Sequence, residues 1–114
     1  MSATTAPEGF ELAAAAGVHR LSIPTPFAVG RVNCYLIDDE PLTLVDAGPN
    51  SGTSFDELTQ ALASLGRSLE EIELVVITHQ HIDHLGLVGL VAARSGAEVA
   101  AIDHAVPILS LIHI

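Results

Sequence analysis

The chain has 114 residues, 49% of them hydrophobic, with 14 acidic residues against 4 basic ones for a formal charge of −10. That length allows one domain at most, and that apolar content excludes a disordered chain. The basic residues are Arg20, Arg31, Arg67 and Arg94, so no basic patch exists for nucleic acid or an anionic membrane surface.

Residues 1–16 read as a flexible lead-in with few large apolar residues. They lack the basic start and long apolar run of a secretory leader, and no stretch reaches the roughly 20 apolar residues of a membrane span. A cytoplasmic location is expected. From Val18, "VHRLSIP" alternates as an edge strand that Pro24 ends. "TPFAVG" is a loop, and "RVNCYLID" is a strand with Val32, Cys34 and Leu36 or Ile37 turned inward. The lone Cys34 cannot form an internal disulfide and reads as a buried strand thiol. After a turn at "DDEP", "LTLVD" is a third strand, and the three short neighbours predict a β-meander.

"NSGTSFDELTQALASLG" gives the clearest helix. Phe55, Leu58, Leu62 and Leu65 recur at helical spacing, Ser54 and Glu57 have capping-box spacing, and Gly66 is a stop. "SLEEIE" has room for one turn. "LVVIT", residues 74–78, is a short apolar run suited to a strand covered on both faces. "HLGLVGLVAARSG" reads as a helix and "AEVAAI" as a last strand. Strands followed by helix, strand, helix, strand predict an α/β or mixed α+β layered fold. The tail "LSLIHI", residues 109–114, has no turn chemistry. It matches the translation of a sequencing-library adapter end, so it is expected to be non-native, with residues 17–108 part of a longer domain and His113 set aside.

The chemistry concentrates in "VVITHQHIDHLG", residues 75–86, which places His79, His81, Asp83 and His84 within six positions directly after an apolar strand. The C-terminal ends of strands are where α/β folds build their sites. In extended backbone His79, His81 and Asp83 face one way, and His84 begins the next helix, offset toward a neighbouring point. Three imidazoles and a carboxylate suit zinc, iron or a similar divalent ion, and two such ions fit about 3.5–4 Å apart. A zinc-finger site would need cysteines, and the HExxH pattern of helical metalloproteases is absent.

"THQHIDHLG" resembles the HxHxDH signature of the metallo-β-lactamase-fold hydrolases. "VNCYLI", "LTLVDAGP" and "GAEVAAIDHA" resemble that family's neighbouring strands and turns, so the likeness runs from about Val18 to about His104. The resemblance implies an αββα sandwich, two β-sheets between helical layers, of which this chain would supply the N-terminal half. It implies that His79 and His81 hold a first metal ion and that Asp83 and His84 hold a second. Zinc is expected, two ions per complete site, with iron or manganese as alternatives. Asp46, the aspartate of "VDAG", matches a residue that supports the site, and reads equally as a strand-end turn. The family's remaining ligands match nothing here. His104 reads as a turn residue and His19 as an exposed strand residue.

The implied function is hydrolysis by a metal-held hydroxide, with Asp83 as the catalytic residue that orients the nucleophile while binding metal. The expected substrate is a small-molecule thioester, lactone or related ester or amide. A mononuclear iron sulfur-oxygenase and a non-catalytic module with an incomplete site are the alternatives. With four of the family's ligands, the isolated segment is expected to be inactive.

Overall fold

A computed structural model of the chain describes residues 8–78 and 86–101. Five strands form one sheet in the order β1 (Val18–Pro24), β2 (Arg31–Ile37), β3 (Thr43–Val45), β4 (Leu74–Ile77) and β5 (Glu98–Ala101). The first three make the expected antiparallel meander, with Leu21 opposite Cys34 and Leu36 opposite Leu44. β3, β4 and β5 are parallel, and each parallel step is bridged by a helix. The first bridge holds α2 (Gly52–Ser64), and the second ends in α3 (Val88–Ser95). Parallel neighbours need such a crossover, because a tight turn can only reverse the chain.

The sheet is covered on one face. Leu21, Ile23, Val32, Cys34, Leu36, Leu44, Val75 and Ile77 alternate onto the same side and form one core with Leu58 and Leu62 of α2 and Val88 and Val91 of α3. The intervening residues Tyr35, Ile37, Val45, Leu74 and Val76 lie on the opposite face and are only partly buried. The apolar run of β4 is therefore closed on one side and half open on the other among the described residues.

Two details differ from the sequence reading. An eight-residue helix, α1 (Glu8–Ala15), occupies half of the segment read as a flexible lead-in. Its alanines carry no apolar periodicity, yet alanine has the best intrinsic helix propensity, and α1 rests on β1. The cap of α2 is Ser51, one turn before the predicted Ser54. Ser51 has extended backbone and its hydroxyl accepts from the Ser54 N–H at 3.5 Å. Ser54 is buried, and its own hydroxyl donates to the Pro24 carbonyl at 2.7 Å, fastening α2 to the end of β1. The stop lies where predicted. Gly66 has φ +77°, and the Gly66 and Arg67 N–H groups return to the carbonyls of Ala63 and Leu62. "SLEEIE" contributes one 3-10 turn, Leu69–Glu71, in which the Glu71 carboxylate accepts the Ser68 N–H at 2.8 Å.

Candidate functional site

The parallel strands β3 and β4 end side by side, and β4 ends just before the histidine-rich stretch in the sequence. The Asp46 N–H donates to the Val76 carbonyl at 2.8 Å, which extends the pairing by one residue. The chain then turns sharply, with Asp46 at φ +63°, a left-handed conformation that aspartate tolerates better than most residues. That turn aims the Asp46 carboxylate at the last residue of the neighbouring exit. Its Oδ1 accepts the Thr78 N–H at 2.9 Å and its Oδ2 accepts the Thr78 hydroxyl at 2.7 Å. Asp46 is 4% exposed, so these bonds sit in a water-poor pocket on the carboxylate side. Thr78 directly precedes His79.

The same turn holds the far end of the histidine-rich segment. The Gly48 carbonyl accepts the Leu87 N–H at 2.9 Å. Gly48 itself has φ +91°, and a Cβ there would stand 3.1 Å from Cγ2 of Ile23. Gly86 lies against Pro49 and Asn50, with no room for a side chain. Residues 46–50 thus hold Thr78 on one side and Gly86–Leu87 on the other. A cleft of about 170 Å³ lined by Pro24, Thr25, Pro26, Ser51, Thr53 and Ser54 opens beside this turn.

His79, His81, Asp83 and His84 lie outside the described residues, as does His104. Among the described residues no three His, Cys, Asp or Glu side chains come together to hold a metal ion. His19 is half-buried on β1, with Arg20, Ser64 and Leu65 around a cleft of about 330 Å³ near the other end of α2. Cys34 is buried as expected. Burial, and then the charge of Asp46, push its thiol up to about 12, so it stays protonated and offers no thiolate to a metal. The imidazole and carboxylate chemistry of the residue types in the 79–84 stretch of the sequence fits a zinc-class divalent ion.

Thr78, Gly86 and the Gly48 carbonyl escaped the sequence reading. The threonine before His79 and the glycine two positions after His84 are the only signals in the string. Neither reveals that both meet one turn far away in sequence.

A mixed sheet with helices on one face, its parallel strand exits joined at an aspartate turn, defines a fold of the metallo-β-lactamase type. The profile of the metallo-beta-lactamase superfamily matches residues 28–111, and the chain belongs to that superfamily. It is 49% identical over 67 residues to a probable metallo-hydrolase, YqjP, of Bacillus subtilis (strain 168), covering 59% of this chain and 21% of that protein. It is 36% identical over 67 residues to the exodeoxyribonuclease WalJ of Streptococcus pneumoniae (strain D39), covering 59% of this chain and 23% of that protein. Among solved structures, a metallo-beta-lactamase family protein of Thermus thermophilus superposes with a TM-score of 0.65 at 30% identity, over 68% of this chain and 26% of that one. The chain spans under a quarter of the length of these two curated relatives. No described helix is long and apolar enough to cross a membrane.

Proposed function

We propose that this chain carries part of the metal site of a hydrolase acting on a small-molecule thioester, lactone or related ester or amide. His79 and His81 would hold one zinc ion, and Asp83 and His84 a second. The observation that carries this reading is the anchoring of Thr78 by Asp46. It fixes where the chain leaves β4, one residue before the first imidazole. Divalent ions of this class supply an acidified water and polarise an acyl oxygen when bound. Asp83 is assigned the orientation of the attacking water, and the buried Asp46 turn holds the segment's start. A single buried, unpaired cysteine suits a cytoplasmic setting.

Phosphodiester hydrolysis is the second reading, favoured by the likeness to WalJ. The charge of −10 weighs against it. So does the pairing of Arg31 with Glu57, Arg67 with Asp38 and Glu71, and Arg94 with Glu70. Metal analysis after zinc loading, with and without Asp83→Ala, tests the ligand assignment. Zinc should bind the parent chain and fall by one equivalent in the variant. Unchanged zinc content would remove Asp83 from the site, and one equivalent of iron in place of zinc would favour the oxygenase class. A parallel screen of thioester, lactone and phosphodiester substrates on the protein carrying the complete ligand set decides the substrate class.

A further inference from the structure

We infer that Gly86 is a positioning residue for metal binding, acting through direct backbone packing against Pro49 and Asn50. This rests on the metal-site reading above. A Cβ built on Gly86 would stand 2.9 Å from both the Cα and the carbonyl carbon of Pro49, and closer still to the Asn50 nitrogen. These are backbone atoms of a turn that is itself fixed. Asp46 is buried before it, Gly48 abuts Ile23, and Ser51 caps α2 after it. The turn cannot yield as the tip of a flexible side chain could. No positive φ explains the glycine, so the close approach alone requires it.

The packing also sets the next bond. Gly86 seats Leu87 so that its N–H meets the Gly48 carbonyl at 2.9 Å, and Leu87 is wholly buried at the start of α3. The seven residues 79–85 are thus bounded by two anchors on one five-residue turn: Thr78 on Asp46 and Gly86–Leu87 on Gly48–Asn50. A segment closed at both ends has fewer conformations to lose when its donors converge on an ion, so affinity depends on both anchors. A side chain at position 86 pushes the second anchor off the turn and frees the end that carries Asp83 and His84.

The test compares Gly86→Ala with Gly52→Ala, a glycine whose added Cβ would meet nothing within 4 Å. Zinc affinity is read by competition with a chromophoric chelator. Exchange of the Leu87 amide is read on metal-free protein. Gly86→Ala should lose about ten- to a hundredfold in zinc affinity, the range seen when a residue supporting a ligand is removed. The Leu87 amide should exchange at least tenfold faster while β2 amides keep their protection. Gly52→Ala should match the parent in both. If Gly86→Ala does not fold, Thr78→Val loosens the other anchor without a clash and should lower affinity by a similar factor. A folded Gly86→Ala with parental zinc affinity overturns the inference, as does a Thr78→Val with parental affinity where the first variant cannot be read. A parent chain that binds no zinc overturns the metal-site reading, and faster Leu87 exchange would then still show the packing to be real.

Discussion

Replacing Asp46 separates the two things its carboxylate does. In Asp46→Ala both bonds from Thr78 are lost, and alanine is left in a left-handed turn. Hydrogen bonds to a charged group contribute about 1.5–3 kcal/mol each, and the low end applies because Thr78 is exposed and water can replace part of the loss. The left-handed backbone adds about 1 kcal/mol for a residue without a short polar side chain. The sum is about 4 kcal/mol for Asp46→Ala. Asp46→Asn keeps an acceptor for the Thr78 N–H and keeps the tolerance of the turn, so it costs about 1–2 kcal/mol. At this chain length 1 kcal/mol moves Tm by roughly 4 °C, so the expected drops are about 15 °C and about 5 °C. Thermal unfolding followed by circular dichroism measures both. Drops under about 2 °C for both variants would show that the Asp46–Thr78 bonds do not fasten the two strand exits. Equal drops would show that charge alone matters and that the geometry of the turn contributes nothing.

Other consequences can be checked independently. Cys34 keeps its proton to about 12 when folded, against an ordinary value of 9.0. Stability from this group is therefore intact below about pH 9 and is lost as pH rises toward 12, because only the unfolded thiol ionises in that window. Between about pH 8 and 10.5 the parent should lose about 2 kcal/mol more than Cys34→Ala in urea unfolding, and parallel curves would refute the burial effect. Leu62 is fully buried between α2 and the sheet, so Leu62→Ala should destabilise by about 2–5 kcal/mol in the same assay. Ser54→Ala strips the Pro24 carbonyl of a buried partner and should cost about 1–2 kcal/mol. Ser51→Ala removes only a long cap bond and should cost about 0.5 kcal/mol, so the reverse order would restore Ser54 as the cap.

The string showed most of the sheet and little of its fastening. β1 and β2 alternate so regularly that both strands could be read directly, with Val32 and Cys34 turned inward, while the choice between Leu36 and Ile37 fell to Leu36 only in the fold. The period of α2 likewise marked Leu58 and Leu62. The helix α1 escaped because an alanine run has propensity without a face. The cap moved to Ser51 because backbone conformation selects a cap, and two serines three apart look alike in sequence. The candidate ligand cluster stood out because four donor-type residues in six positions exceed what a surface loop supplies. The groups that brace it did not. Gly86 is required by the backbone of Pro49 and Asn50, and Thr78 by a carboxylate on another strand. Such approaches across the fold leave no local pattern.

The topology also orders the assembly of the protein. The β1–β2–β3 meander joins neighbours in sequence and can close early, whereas β4 can pair with β3 only after α2 has crossed between them. Closing that longer loop costs entropy before any contact repays it, and such pairings come late in folding. Asp46 and Thr78 are 32 positions apart and meet at that late step. Leu87 reaches Gly48 later still, since it lies beyond Thr78 in the chain. During synthesis from the N-terminus the turn at 46–50 therefore exists before its two tenants arrive. If residues 79–84 bind zinc as proposed, zinc added during refolding should leave the folding rate unchanged and slow only unfolding.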